Sequence, residues 1–330
     1  MEERADVTAE MFNNDILPAG KPVVMRRIVA DWPVVRVGRE SPQALADYLK
    51  RFETNKPLGT MYGKPEINGR FFYNEDLSGF NFRNGPARLT DSLDYMLTQL
   101  GEEPPHSLFV QSVPTRYGLP GFEEQNPAPF IGKIEPRVWI GNKIIVGAHH
   151  DPAENIACCV AGRRRFTVFP IEQVSNLYLG PFEQTPAGTT VSLVDFDAPD
   201  YERFPRFKAA LETALVADLE PGDGVYIPYL WWHHVRSLER MNMLVNYWWD
   251  SLVQGRGHPR AAFFHAIVSI RQLPKAHRLA WRTMFEHYAF NENDDAATHL
   301  PENKRGLLSD EYDAEFQKYV RDALRRMTEN

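Results

Sequence analysis

The sequence predicts a mainly β fold with flanking helices, in which an antiparallel double-sheet barrel is followed by an α-helical C-terminal region. Three observations support this prediction. Short strand patterns separated by Gly and Pro turns fill the segment 138–249. Strand and helix patterns alternate before it, and after about residue 257 the hydrophobic period changes from two residues to 3.6. We therefore expect a barrel domain with an N-terminal α/β elaboration over 1–256 and a helical region over 257–330.

Composition and charge argue against several classes of protein. The chain has 330 residues, 43% of them hydrophobic and 25% charged, as is usual for a globular protein. It contains no apolar run of the length that crosses a membrane, and its acidic N-terminus does not resemble a secretory signal. A net charge of −7 disfavours nucleic acid as a partner. Cys158 and Cys159 are adjacent, which favours buried thiols in the reducing cytoplasm over a disulfide.

The N-terminal part combines one strand with two helices. Residues 21–29 read as a strand, and Ser41 can cap a helix in which Leu45, Tyr48 and Leu49 recur at helical spacing. Residues 54–88 are rich in Gly, Asn and aromatic side chains and predict loops and short strands over a ligand mouth. A second helix is expected near 90–100.

The middle of the chain carries the barrel. Apolar runs on both sides of Gly141-Asn142 predict a tight hairpin. Further strands are expected over 155–161, 164–169, 189–196, 215–219, 224–228 and 243–249, with a short helix near 206–214. Strands at this density indicate the jelly-roll or cupin type of barrel, which provides a pocket at its mouth.

Three amphipathic helices are expected at the C-terminal end, and each must bury an apolar stripe. Their stripes are Phe264, Ile267, Val268 and Ile270; Leu279, Met284, Phe285 and Tyr288; and Tyr312, Phe316, Tyr319, Val320, Leu324 and Met327. Packing against the barrel or against a second subunit would bury them. Of the two arrangements we favour a homodimer.

Two short segments contain four of the ten histidines and predict a mononuclear metal site. In an extended strand, residues i and i+2 share a face, so His149 and Asp151 can bind one ion while His150 points away. The segment 231–234 supplies a further imidazole from a distant strand, and two tryptophans and a Pro-bounded turn precede it. Two histidines and one carboxylate leave coordination positions open, which is typical of non-haem iron(II) oxygen chemistry.

Several motifs in order resemble the cupin-like branch of the JmjC oxygenases, which depend on iron(II) and 2-oxoglutarate. They are PVVMRRIVADWP, HHDPAEN, GRRRFTVFP, PGDGVYIPYLWWHHV and LVNYWWD. The resemblance implies a double-stranded β-helix with His149, Asp151 and His233 as iron ligands. It also implies that Asn155 and Asn246 lie beside the 2-oxoglutarate cosubstrate.

The chain departs from its relatives at the cosubstrate anchor. Arg164 stands where a relative has the lysine that pairs with the distal carboxylate of 2-oxoglutarate. Val146 and Phe109 replace a supporting threonine and tyrosine. Because arginine binds a carboxylate through two parallel hydrogen bonds, it can replace several weaker donors. Strand alternation lets only part of the trio 163–165 face inward, and we assign that place to Arg164.

The resemblance implies a hydroxylase that uses dioxygen and acts on a protein or peptide side chain. The loops 54–88 and 112–136 could form a groove for an extended peptide. Three alternatives stay open: an oxygenase of small molecules, a zinc or manganese isomerase or hydrolase on the same fold, and a non-catalytic sensor module. We expect Trp231 and Trp232 to form walls of the site.

Overall fold

The computed structural model describes residues 1–252, 257–291, 295–309 and 311–328. The chain divides into two compact units, Met1–Asp250 and Ser251–Asn330. The predicted domain boundary after residue 256 falls at residues 253–256, which lie outside the described residues.

The described residues contain the following elements. The strands are β1 Glu2–Ala5, β2 Val23–Arg26, β3 Leu58–Gly63, β4 Phe82–Ala87, β5 Ser107–Pro114, β6 Arg137–Gly141, β7 Ile145–His149, β8 Glu154–Ala161, β9 Arg164–Phe169, β10 Leu215–Leu219, β11 Gly224–Ile227, β12 Trp232–Ser237 and β13 Asn242–Trp249. The α-helices are α1 Ala9–Met11, α2 Leu17–Ala19, α3 Pro33–Glu40, α4 Pro42–Lys50, α5 Leu89–Thr98, α6 Thr115–Gly118, α7 Phe122–Gln125, α8 Phe207–Glu212, α9 Pro259–Ile270, α10 Lys275–Tyr288 and α11 Ala314–Thr328. A π-helical turn spans Phe12–Ile16, and 3-10 turns span Pro65–Ile67, Gln99–Gly101, Ile171–Ser175, Glu302–Lys304 and Gly306–Leu308.

The strands of the described residues form two sheets. The larger has nine strands in the order β1-β2-β11-β8-β13-β6-β5-β3-β4, and the smaller has four in the order β10-β9-β12-β7. Apart from β1 and β2, which are parallel, the strand pairs are antiparallel. This agrees with the predicted mainly β, double-sheet architecture.

A hydrophobic cluster between the two sheets defines the interior of the barrel. Alternate residues of strands from both sheets contribute to it: Val24, Ala157, Cys159, Phe166, Val168, Ala217, Leu219, Val225, Ile227, Val235 and Leu244. The intervening residues of the larger sheet, such as Cys158 and Val245, face a second cluster, the outer cluster, formed with the N-terminal helices. The side-chain alternation of each strand therefore identifies which residues face the interior.

The helix predicted after Ser41 is confirmed as α4. The Ser41 hydroxyl accepts a hydrogen bond from the backbone N–H of Ala44 at 3.0 Å, which satisfies a donor that the first helical turn leaves unpaired. Leu45 and Leu49 are fully buried in the outer cluster. The second predicted helix corresponds to α5.

The predicted hairpin at Gly141-Asn142 is wrong. Strand β6 pairs with β5 and β13 in the larger sheet, whereas β7 pairs with β12 in the smaller one. The Asn142 side chain accepts a hydrogen bond from the N–H of Leu108 at 3.0 Å and thereby binds β5. The two residues therefore carry the chain from one sheet to the other, and tertiary contacts override the local turn signal.

The predicted strand at 189–196 is also absent from the elements of the described residues. Ser192 forms an isolated bridge with Leu179, and its N–H donates to the carbonyl of Ala148 at 2.8 Å. The segment therefore lies along the outer edge of β7 without forming a strand of its own.

The C-terminal unit contains the three predicted helices, α9, α10 and α11. Large apolar side chains on them are exposed: Phe263, Val268, Leu279, Trp281, Met284, Tyr288, Tyr319 and Met327. Within the described part of the chain, no helix combines the length and the apolar character needed to cross a bilayer.

Candidate metal centre

His149, Asp151 and His233 come together at one end of the barrel. Each offers one ligand atom, and these atoms all lie within 4.8 Å of one another. The Nε2 atom of His233 is 3.5 Å from Oδ2 of Asp151, and the two imidazole rings are 4.2 Å apart between centroids. Strand pairing produces this arrangement, since His149 at the end of β7 is the register partner of His233 on β12.

Backbone carbonyls orient both imidazoles. Nδ1 of His149 lies 2.9 Å from the carbonyl of Gly147, and Nδ1 of His233 lies 3.1 Å from that of Trp231. If each Nδ1 carries the proton, as a carbonyl partner requires, each Nε2 retains a lone pair for a metal. This is the hydrogen-bonding pattern expected of metal-binding histidines.

The neighbouring histidines face away from this cluster, as strand alternation predicts. The ring of His150 packs edge-on against Trp232, with centroids 4.6 Å apart. The ring of His234 stacks on Phe196 at 4.4 Å. Trp232 is therefore on the outer side of the small sheet, so the expectation that it forms a wall of the site is wrong, whereas Trp231 packs against the interior cluster.

Hydrogen bonds join the loop that carries Asp151 to the segment that precedes His233. The N–H of Leu230, a residue in the left-handed region at φ 61°, donates to the carbonyl of Asp151 at 3.1 Å. The Glu154 carboxylate accepts from the Tyr226 hydroxyl at 2.6 Å and from the N–H of Tyr229 at 3.2 Å. The loop after β7 and the loop before β12 are therefore held together.

The electrostatics of the cluster suit a cation. Burial raises the pKa of the Asp151 carboxyl, opposed by His149 and His150. Burial also lowers the pKa of His233 well below its usual value, and His149 lowers it further. Oδ2 of Asp151 is buried and has no hydrogen-bond partner among the described residues. A divalent cation would stabilise the carboxylate and bind the neutral imidazoles, so the donor set fits a metal.

Arg164 lies inside the barrel at the opposite end of the small sheet. It is 3% exposed, and its Nε and Nη2 atoms have no hydrogen-bond partner within the described part of the chain. Burial lowers the pKa of its guanidinium to about 10. Arg163 and Arg165 are exposed and form ion pairs with Glu239 and Asp218, both at 2.7 Å.

The two asparagines expected beside the cosubstrate meet in the larger sheet. Nδ2 of Asn246 donates to Oδ1 of Asn155 at 2.8 Å, and both residues are buried. Oδ1 of Asn246 has no donor among the described residues. Asn246 shares the face of Leu244, which belongs to the interior cluster.

Sequence reasoning missed two indoles in the same interior. Nε1 of Trp139 and Nε1 of Trp248 are buried and lack acceptors among the described residues. The two rings meet edge-to-face at 5.7 Å, and Trp139 also stacks on Phe109. Alternation along β6, where Val138 and Ile140 face the outer cluster, could have identified Trp139 as inward-facing.

Val146 also lies on the interior side, packed against the cluster between the sheets, and Phe109 is buried. Neither side chain offers a hydrogen bond. Several polar atoms of the interior are therefore left for a ligand rich in oxygen: those of Arg164, Asn246, Trp139 and Trp248. An oxoacid anion fits this set of mostly donor groups.

Comparison with known proteins identifies a family. The family model described as "Cupin-like domain" matches residues 8–255. Curated relatives include lysine-specific demethylase 8 of Xenopus tropicalis, 27% identical over 249 residues that are 73% of this chain and 51% of the relative. Lysine-specific demethylase JMJ30 of Arabidopsis thaliana is 29% identical over 258 residues, 76% of this chain and 55% of the relative. The chain thus spans about half the length of these relatives.

A solved structure that aligns with the chain is more distant in sequence. The structure of ycfD from E. coli aligns with 100% of this chain and 70% of its own, at 15% identity and a TM-score of 0.47.

Proposed function

The chain belongs to the cupin-like domain family, and on that premise we propose that it is an iron(II)- and 2-oxoglutarate-dependent oxygenase that hydroxylates a protein or peptide side chain. The observation that carries this proposal is the convergence of the His149, Asp151 and His233 ligand atoms within 4.8 Å. Two imidazoles and one carboxylate on one side of an ion leave positions for a cosubstrate and dioxygen.

Different residues of the chain would hold the iron and orient its ligands. His149, Asp151 and His233 would hold the iron, and the carbonyls of Gly147 and Trp231 fix the orientation of the two imidazoles. When bound, iron(II) and 2-oxoglutarate supply dioxygen activation and C–H oxidation, with succinate and carbon dioxide as products of the cosubstrate. The protein itself supplies binding, orientation and exclusion of water.

Arg164 would bind the distal carboxylate of 2-oxoglutarate. Its Nε and Nη2 can donate two parallel hydrogen bonds, the geometry that suits a carboxylate. Arg164 is the register partner of Leu219 and shares the interior face of Phe166, and its side chain is buried, so few competing water molecules reach it. A buried cation without an acceptor is costly, and a dicarboxylate would remove that cost.

Asn155 and Asn246 would orient the metal-proximal part of the cosubstrate. Their mutual hydrogen bond fixes both amides at the metal end of the barrel. The indole N–H groups of Trp139 and Trp248 would donate to oxygen atoms of the cosubstrate or the substrate.

A protein or peptide substrate is supported by the relatives, two of which are named as lysine-specific demethylases. The segments 54–88 and 112–136 offer candidate contacts for an extended peptide. An oxygenase of small molecules remains the second candidate, because the interior provides charged anchors that would suit a small acid as well.

The test is release of succinate from 2-oxoglutarate by the purified chain, measured with and without iron(II). We expect turnover that requires iron and is lost in His233→Ala. Zinc or manganese bound after anaerobic purification, with no iron-dependent turnover, would instead indicate an isomerase or hydrolase. Absence of turnover with iron and 2-oxoglutarate both bound would indicate a sensor module.

A homodimer through the C-terminal unit is part of the same proposal, with packing on the barrel as its alternative. Val268, Tyr319 and Met327 are each more than half exposed, and exposed apolar surface of this kind is typical of interfaces. Analytical ultracentrifugation should give a dimer that Met327→Glu converts to a monomer; a monomeric wild-type chain would contradict it.

A cytoplasmic location stays a prediction based on Cys158 and Cys159, which are buried and not disulfide-bonded.

A further inference from the structure

A second arginine faces the interior of the barrel, at its metal end. Arg137 is the register partner of Asn246 across the β6–β13 pair, and directly opposed residues share a face of the sheet. Val138 and Ile140, its alternating neighbours, face the outer cluster. Arg137 therefore points to the same side as Asn246 and Trp139.

Its position along the barrel differs from that of Arg164. Only a short connection separates the end of β7, at His149, from the start of β8, at Glu154, so these strand ends lie at one end of the barrel. Arg137 begins β6 and lies at that end, because β6 and β8 flank β13 with the same orientation. Arg164 pairs with the end of β12, far from His233. The two guanidinium groups thus lie at opposite ends of the interior.

A bulge in β5 holds Arg137 in place. The β5–β6 register shifts between Val110 and Val113, and Ser112 lies in the left-handed region at φ 47°. Nη1 of Arg137 donates to both the carbonyl and the hydroxyl of Ser112, each at 3.0 Å. Bulges beside active sites commonly redirect a side chain, and a non-glycine residue in this region indicates a conformation that the surrounding structure maintains.

The rest of the guanidinium is available to a ligand. Nε and Nη2 of Arg137 donate no hydrogen bond to a described residue, and no described carboxylate forms an ion pair with it. The side chain is half-buried. A partly buried cation that is fixed on one side and lacks an anion suits the binding of a carboxylate through two hydrogen bonds.

We propose that Arg137 binds a carboxylate of the prime substrate at the mouth of the pocket, so that the oxidised carbon belongs to an acidic substrate. The proposal rests on the oxygenase function above and adds a substrate class to it. The carboxylate has two possible sources, an Asp or Glu side chain of a peptide and a small carboxylic acid.

The experiment measures binding without turnover. Two fluorescein-labelled peptide pools, identical except that one has Asp and Glu where the other has Asn and Gln, are titrated into the full chain. Iron(II) and 2-oxoglutarate are present under anaerobic conditions, and binding is read by fluorescence anisotropy. We expect the acidic pool to bind about tenfold more tightly, because an amide presents one carbonyl oxygen in place of two carboxylate oxygens and so loses one charge-assisted hydrogen bond. Arg137→Gln should abolish that preference, and Arg137→Lys should keep part of it.

The matched control is Arg163→Gln, which removes an exposed arginine paired with Glu239 at the other end of the barrel. It should leave the preference unchanged. Equal binding of the two pools to the wild type would overturn the proposal. So would an equal loss of the preference for the acidic pool in Arg163→Gln and Arg137→Gln. A tenfold weaker Kd for 2-oxoglutarate in Arg137→Gln would also overturn it, by assigning this arginine to the cosubstrate.

Competition identifies the source of the carboxylate. If N-acetylglutamate displaces the acidic pool at a concentration comparable to that of the pool, the substrate is a small carboxylic acid. If it does not, the carboxylate belongs to a peptide. Both results support the anion site. Succinate release is measured separately. Its absence in the wild type would refute the oxygenase function, whereas an Arg137-dependent preference would still stand.

Discussion

Replacing Arg164 with methionine separates a ligand-binding role from a structural one. Methionine keeps an unbranched apolar chain in the barrel and removes the guanidinium, whose Nε and Nη2 have no partner among the described residues. Two charge-assisted hydrogen bonds to a carboxylate contribute about 1.5 kcal/mol each at least, so about 3 kcal/mol of binding free energy should be lost. That loss corresponds to an increase of about 100-fold in the Kd for 2-oxoglutarate.

The same substitution should not destabilise the ligand-free protein. Removing a buried cation that has no anion should leave the free energy of unfolding unchanged or raise it by on the order of 1 kcal/mol. A structural role predicts the opposite, because deleting a paired buried charge destabilises. Affinity and stability should therefore change independently in this variant.

Anaerobic isothermal titration calorimetry in the presence of iron(II) measures the affinity for 2-oxoglutarate. Thermal unfolding with and without 2-oxoglutarate measures how much its binding stabilises the protein. Arg163→Met is the control, since Arg163 is exposed and pairs with Glu239. Unchanged affinity in Arg164→Met would refute the assignment of the anchor. A large loss of ligand-free stability would show that the guanidinium serves the fold.

Three further outcomes follow from the structure. His233→Ala should lose bound iron and His234→Ala should retain it, as measured by metal analysis; the reverse result would mean that the outward histidine is the ligand. Burial raises the pKa of the Cys159 thiol to about 12, so iodoacetamide should leave it unmodified at pH 8 until the protein is denatured, and mass spectrometry would detect any native labelling that contradicts this. Burial raises the pKa of Glu53, but backbone hydrogen bonds, that of Thr90 first among them, hold it below the usual 4.5. A carboxylate with a lowered pKa stabilises the fold at pH values above its unfolded-state pKa, and this stabilisation is lost as pH falls. Glu53→Gln should therefore lower the free energy of unfolding at pH 7 and match the wild type in acid. A difference that persists in urea melts at acidic pH would contradict this.

The local sequence was sufficient to predict features that depend on the spacing and type of a few neighbouring residues. Serine is a preferred N-cap residue, and the structure confirms the predicted cap at Ser41 before an apolar helical stripe. The i, i+2 spacing of His149 and Asp151 places both on one side of a strand end, and the outward packing of His150 against Trp232 agrees with that rule. These features depend on a few neighbouring residues and need no knowledge of the tertiary fold.

Features set by pairing between distant strands could not be predicted in this way. Gly141-Asn142 has hairpin chemistry, yet Asn142 binds β5 and the chain passes to the other sheet. Alternation along β6 puts Arg137 and Trp139 on one face, but the position of Arg137 opposite Asn246 depends on the register of β6 with β13, which the sequence of β6 alone does not contain. The contact of Ser192 with the edge of β7 likewise depends on a partner 44 residues away in the chain, Ala148.

The central claim is that His149, Asp151 and His233 bind one ferrous ion with positions left open. Anomalous diffraction at the iron absorption edge, from crystals grown anaerobically with iron(II), tests it directly. We predict a single strong peak within bonding distance of the Nε2 atoms of both histidines and of an Asp151 oxygen, with no fourth protein ligand. A peak elsewhere, or an ion enclosed by four protein side chains, would contradict the account.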